Sequence, residues 1–165
     1  MRISLLILGA AFASSSGIGF AQVTVRVEPP NLRDFRPLPE QTAKSAIRDY
    51  LQSWQSFKSA LEQNRADLLD PDFVGTARDK FIETIQQQAS SGIRTRYRDT
   101  SHDITIAFYS PDGLSIQLID KVEYDVGVLD HDKLKTTQHM SVRYVIVLTP
   151  AELRWRVRIF QANPE

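Results

Sequence analysis

Asp120 stands out by where the alternation of its neighbours puts it. In Leu114 to Val128, LSIQLIDKVEYDVGV, counting by twos places Leu114, Ile116, Leu118, Asp120, Val122, Tyr124, Val126 and Val128 on one face. The other face carries Ser115, Gln117, Ile119, Lys121, Glu123, Asp125 and Gly127. One carboxylate thus points where every neighbour is apolar or aromatic. The next run aligns Thr136, Gln138, Met140, Val142, Tyr144, Ile146 and Leu148, and the last aligns Leu153, Trp155, Val157 and Ile159. Asp120, Tyr124 and Tyr144, with Tyr97 and Gln138, are therefore placed to share one cavity. A carboxylate among phenols can act as general base for proton abstraction beside a carbonyl. The preferred expectation is plainer: Asp120 as a hydrogen-bonded residue in the wall or mouth of that cavity. His102, His131 and His139 fall in turns or on the polar face, which leaves Asp120 without the usual second partner.

Other chemistry is weaker. His131 lies between Asp130 and Asp132 in DHDK, but three polar residues in a hairpin are what turns contain, and no second cluster stands at ligand spacing, so no metal is expected. No phosphate loop, exposed-serine elbow or zinc-protease pair occurs, and no cofactor is implied. Arg94, Arg96 and Arg98 alternate, as do Arg154, Arg156 and Arg158, with Arg143 on the run between. These rows are expected on the polar sheet face. There Arg143, Arg154, Arg156 and Arg158 would meet an acidic partner, or stay solvated beside Glu123, Asp125 and Asp103 and discourage edge pairing.

These residues need elements to hold them. Glu40 to about Asn64 reads as a long amphipathic helix, with Ala43, Ala46, Ile47, Tyr50, Leu51, Trp54, Phe57 and Leu61 on one stripe. Trp54 and Phe57 read as core rather than as a ligand cage. A short helical turn in ADLLDPDF stops at Asp70-Pro71. A further helix is expected from Pro71 or Asp72, carrying Phe73, Ala77, Phe81, Ile85 and Ala89 and closing at Gly92.

From Ile93 the period changes to two. IRTRYRD and DITIAFYS read as strands, SPDG as a turn, and the three later runs as an antiparallel meander broken at DHDK and TPAE. Helices first and strands after argue an α+β fold, the helices gathered on one face of one sheet. Alternation from Leu114 to Leu129 would span roughly 50 Å, which a small domain holds only by bending or bulging, with Gly127 as the expected bend. Ahead of the helices, Gln22 to Val27 alternates as a short strand, and the prolines up to Pro39 make residues 22–39 an extended arm.

The order of a long helix, TAKSAIRDYLQSWQSFKSAL, a short helix, a third helix ending in Gly92, and four long antiparallel runs closing on RWRVRIF resembles the nuclear transport factor two-like superfamily. YLQSWQSFKSAL, with Gly92 and Tyr97, is similar to the domain in the inter-envelope part of a chloroplast-division protein. The resemblance covers residues 40–161 and implies a cone: a strongly curved antiparallel sheet wrapping helices. That cone hosts isomerases, dehydratases, SnoaL-like cyclases, transport factors and inert binding modules, so it implies fold more than function. Its enzymes set an Asp or His with Tyr or Asp partners inside the cone, the place the alternation gives Asp120.

The totals frame where such a domain works. Lys plus Arg and Asp plus Glu are 20 each in 165 residues, so nothing draws the chain toward nucleic acid. Arg2, an apolar run from Ile3 to Ala13 and the closing Gly19-Phe20-Ala21 have the form of a secretory signal over residues 1–21. The apolar run is too short to span a bilayer, which takes roughly 20 residues. The absence of cysteine excludes disulfides, thiol catalysis and a lipid-modified cysteine. The expectation is an exported, periplasmic or extracellular domain with no membrane insertion once the signal is removed. It acts as a binding or assembly module for a protein or small apolar ligand, with homodimerisation through the exposed sheet face left open. An isomerase, dehydratase or cyclase built on Asp120 is the alternative, and the weight of the pattern is against an enzyme.

Overall fold

Where the sequence period changes at Ile93, helix gives way to sheet. The computed structural model describes residues 22–30 and 37–163. The signal expected over residues 1–21, and residues 31–36 of the arm, lie outside the described residues. The elements run β1 (Thr24–Val27), α1 (Glu40–Gln63), a 3-10 turn (Ala66–Leu69), α2 (Gly75–Ser90), β2 (Ile93–Tyr109), β3 (Ile116–Asp130), β4 (Lys133–Pro150) and β5 (Trp155–Ala162). Strands β2 to β5 form the antiparallel meander, and β1 adds a parallel edge beside β2, so the sheet order is β1-β2-β3-β4-β5. The fold is α+β, with both helices on one face of a curved sheet.

Four bulges, each one extra residue, bend the long strands. They fall at Thr100 and Ala107 in β2, at Lys135 in β4 and at Arg158 in β5. Each flips the alternation beyond it. The expected bend at Gly127 is instead the Lys135 bulge across from Val128. At Gly127 itself a Cβ would lie 2.9 Å from the end of the exposed Leu134 side chain, which would have to turn aside.

The inner faces close on α1. Ala46, Tyr50, Trp54, Phe57 and Leu61 are buried against Ile104, Ile106, Leu118, Val122, Ile146, Leu148 and Val157, while Ala43, Ile47 and Leu51 are only partly covered. Trp54 is core, its ring 5.6 Å from Phe160 and 5.9 Å from Tyr144. Asn64 closes α1 at φ 51°, and its side chain donates to the Ile93 carbonyl at 2.9 Å, tying the helix end to the first strand of the meander.

Several boundaries differ from expectation. Helix α2 begins at Gly75 because Phe73 forms a bridge with Val157 and the Asp72 carboxylate is taken by Ser56 and Arg154 instead of capping a helix. The two runs read as IRTRYRD and DITIAFYS are one continuous strand of 17 residues. Leu114 and Leu153 lie outside the strands and are exposed, Leu153 at 92%. The bulge at Arg158 turns Ile159 outward and Phe160 into the core.

Candidate functional site

The site grows from one extra residue. In β2, Asp99 pairs with Tyr124 and Ser101 with Glu123, so Thr100 is the bulge and both Asp99 and His102 face inward. His102 is thus neither in a turn nor on the polar face, where the sequence reading expected it: it stands in phase with the buried Ile104 and Ile106, and the bulge brings Asp99 to the same side. It is 1% exposed, beside Asp120 at 0%. The partner that Asp120 lacks in the sequence reading is therefore present.

His102 Nδ1 lies 2.7 Å from Asp120 Oδ2, and its Nε2 lies 3.2 Å from Asp99 Oδ2. Lys58 of α1 donates to Asp99 Oδ1. Tyr50, also on α1, donates its hydroxyl proton to Asp120 Oδ2 at 2.7 Å and accepts the Trp54 indole N–H at 2.8 Å. The chain runs Lys58, Asp99, His102, Asp120, Tyr50, Trp54, with acids and bases alternating over its first four members.

Burial alone would lower the His102 pKa, but hydrogen bonds to Asp120 and Asp99, with their charges, override it and raise the value to about 9. Burial would raise that of Asp99, but the bonds from His102 and Lys58, with the Lys58 charge, bring it down to about 2. His102 is thus an imidazolium at neutral pH, donating through both ring nitrogens. Burial first, then the nearby Asp120, pushes the Tyr50 hydroxyl well above the usual phenol range. Asp120 Oδ2 takes two donors, whereas Oδ1 has no hydrogen-bond partner among the described residues.

Tyr124 and Tyr144 adjoin this chain. Their hydroxyls lie 2.9 Å apart, and the Tyr97 ring lies 5.3 Å from Tyr124. Burial raises the Tyr97 hydroxyl to about 12 and Tyr144 higher still. Asp120, Tyr124, Tyr144 and Tyr97 are therefore brought together on the inner face, Asp120 opposite Tyr144 in register. Gln138 is not: it pairs with Val126 on the exposed stretch of β4 and does not join Asp120.

The arginines are dispersed. Arg154 bonds the buried Asp72 at 2.8 Å, Arg156 donates to the carbonyls of Asp70 and Phe73, and Arg158 lies against Gly75. The β5 row is thus bound to the 70–75 turn rather than projecting freely. Arg94 pairs with Asp132, and Arg96 with Glu62 at 2.5 Å, while Arg98 and Arg143 are exposed. His131 and Asp132 occupy the β3–β4 turn at φ 46° and 66°, His131 bonded to Asp130 at 2.6 Å.

Fold comparison places this arrangement. The intermembrane space region of chloroplast protein ARC6 superposes with a TM-score of 0.61 at 11% identity, over 79% of this chain and 100% of that one. A candidate dehydratase of the nuclear transport factor two-like family from Streptomyces avermitilis superposes at 0.51, with 11% identity over 74% and 98%. A candidate scytalone dehydratase from Novosphingobium aromaticivorans does so at 0.52, with 14% identity over 75% and 88%. The chain has the nuclear transport factor two-like fold. No protein-family model and no curated protein matches its sequence. What this nuclear transport factor two-like cone holds at its centre is side chains: the rings of Trp54, Phe57, Tyr144 and Phe160 fill the space under α1.

The residues missed by sequence reasoning were Asp99, His102, Tyr50 and Lys58. Tyr50 and Trp54, four apart on one stripe, were visible as apolar residues, though not as a hydroxyl and an indole N–H that bond each other. The signal that could have found Asp99 and His102 is a slip of phase, Tyr97 being odd-numbered and Ile104 and Ile106 even-numbered, which requires one extra residue between the two runs.

Proposed function

We propose that the chain is an exported, non-catalytic binding or assembly module whose inner polar chain holds the cone together. One observation carries this reading: Asp120, His102, Tyr50 and Trp54 are between 0% and 1% exposed, so no substrate reaches them without opening the core. A general base must come within hydrogen-bond reach of the proton it takes. The likeness to the ARC6 region is one of fold and adds no partner. Export is supported by the signal-like residues 1–21 and agrees with a chain in which no described helix is long and apolar enough to cross a membrane. Residues 22–39 make the arm, whose strand β1 joins the sheet of the cone built from residues 40–161, and the exposed sheet face is open to a second copy.

The test is proton abstraction itself. Exchange of the acetophenone methyl protons in D2O, followed by proton NMR, is expected at the buffer rate with the wild-type protein. Exchange above that rate which Asp120→Asn abolishes would establish the second reading, an isomerase or dehydratase with Asp120 as base. The observation favouring that reading is the unengaged Asp120 Oδ1 beside two phenols. N-terminal sequencing of the exported protein is expected to begin at Gln22.

A further inference from the structure

Strand β1 is the part of the sheet held least. Its four residues are all exposed, so none of its side chains belongs to the core, and it pairs with β2 in parallel, the weaker arrangement per residue. Its described ties are the ladder from Thr24↔Ser101 to Val27↔Ile104, with the Glu28 N–H donating to the Ile104 carbonyl at 2.9 Å, and an exposed ion pair of Arg26 with Asp103 at 3.9 Å. Val27 also borders the groove lined by Ile47 and Leu51 of α1. An element that buries so little opens locally, without unfolding the rest of the cone.

The tether behind β1 opposes closure. β1 runs parallel to β2, whereas α1 runs against it: Tyr50 reaches Asp120, which pairs with Ile104, and Asn64 at the far end of the helix reaches Ile93 at the start of β2. Residues 28–39, twelve in all, therefore have to reverse the chain between Val27 and Glu40. Four of the twelve are Pro29, Pro30, Pro37 and Pro39, a residue type that favours extended backbone at itself and at the residue before it. A hinge that resists turning back favours the form in which the strand goes to a neighbour instead. Twelve residues reach about 40 Å at full extension, enough to cross to a second molecule.

We propose that β1 is an exchange strand: it leaves the β2 edge of its own cone and completes that edge on a second copy, which returns its own β1. Each vacated edge, Ser101 to Ile104, regains the same ladder, and each Asp103 regains an Arg26, so no bond is lost. A bare edge is a ready template for such a strand. The balance lies between the turn of the tether and the high local concentration of a strand at its own edge, so the exchanged dimer gains as protein concentration rises. The inference rests on the assembly reading and names its partner, a second copy of this chain.

The chain has no cysteine, so introduced cysteines report on β1 directly. Full-length Arg26→Cys protein is mixed with Asp103→Cys protein and treated with a short bismaleimide, both positions being exposed at the side chain. A covalent dimer is expected at least tenfold faster than when Arg143→Cys replaces Asp103→Cys. Pro29→Gly with Pro30→Gly and Pro37→Gly, which lets the tether turn, should cut the yield at least threefold. In the wild-type protein, the Glu28 amide should exchange its hydrogen at least a hundredfold faster than the Val122 amide of β3.

A rate no higher than with Arg143→Cys, a yield that the glycines leave unchanged, or a Glu28 amide protected as well as that of Val122 overturns the proposal. So does a dimer that persists after Arg26→Cys and Asp103→Cys in one chain have been cross-linked to each other, which would assign association to the sheet face. None of these outcomes touches the acetophenone test, so failure of strand exchange and failure of the non-catalytic reading stay distinguishable.

Discussion

Two sets of charges hold this fold, one inside and one outside, and the same pairing means different things in each. Inside, Lys58, Asp99, His102 and Asp120 alternate in sign and join α1 to β2 and β3. Outside, Arg156 holds two carbonyls of the 70–75 turn and Arg98 and Arg143 face solvent, while Arg154 bridges the two sets, since its partner Asp72 is buried. Water can replace a lost partner outside. In the core nothing can, and the group left behind bears its full desolvation cost. Electrostatic stability should therefore concentrate in four residues rather than in the more numerous arginines.

The sharpest way to break that contrast is at Asp120. Asp120→Ala leaves the His102 imidazolium and the Tyr50 hydroxyl facing a buried void and should destabilise by about 3–5 kcal/mol in urea unfolding. Asp120→Asn keeps the volume but not the charge and should fall between Asp120→Ala and wild type. A loss below about 1 kcal/mol for Asp120→Ala would mean that the chain is incidental to the fold.

The pH dependence separates the two sets next. His102 is held at about 9 against 6.5 for a free histidine, so its contribution is complete below about 6.5 and fades as pH rises through about 9. Asp99, held at about 2 against 3.8, contributes fully above about 3.8 and is lost as pH falls toward about 2. The inner chain should thus stabilise most between those limits. His102→Gln should flatten the alkaline limb, by at most about 3 kcal/mol across it. An unchanged limb in thermal unfolding from pH 6 to 9 would contradict the protonated His102.

Most of the scaffold was legible in the sequence because periodicity reports burial directly. The stripe from Ala46 to Leu61 and the face from Ile116 to Tyr124 are buried where the pattern put them. What escaped was everything downstream of a bulge, since an inserted residue shifts the phase without leaving a mark on composition. Thr100 slips the phase between Asp99, which follows Tyr97, and His102, which precedes Ile104, so that both face inward, and Arg158 exchanged Ile159 for Phe160. The candidate site was therefore half visible. Asp120, Tyr124 and Tyr144 lie on strands in phase, whereas Asp99 and His102 flank a break in phase. Gln138 erred differently: its alternation is correct, but β4 there runs past the helices, so an inward direction does not amount to burial.

The tyrosine pair is intermediate between the two sets. Tyr124→Phe removes the only described partner of the Tyr144 hydroxyl and should cost about 1 kcal/mol. The double change Tyr124→Phe with Tyr144→Phe removes donor and acceptor together and should cost less than the sum of the single changes, which a double-mutant cycle in urea would read.

Arg143 marks the low end of the comparison and tests its logic. It is exposed on β4, opposite Lys121 across β3, and two like charges in register repel weakly. Arg143→Ala should leave stability within about 0.5 kcal/mol of wild type, and relief of that repulsion makes a slight gain the expected sign. The gain should shrink in 0.5 M salt, because an exposed pair is screened within a few ångströms. The effect of Asp120→Ala, measured in the same salt series, should hardly move, since ions do not enter the core. If both variants respond equally to salt, the charges inside are as wet as those outside, and the distinction between a sealed chain and a solvated row fails.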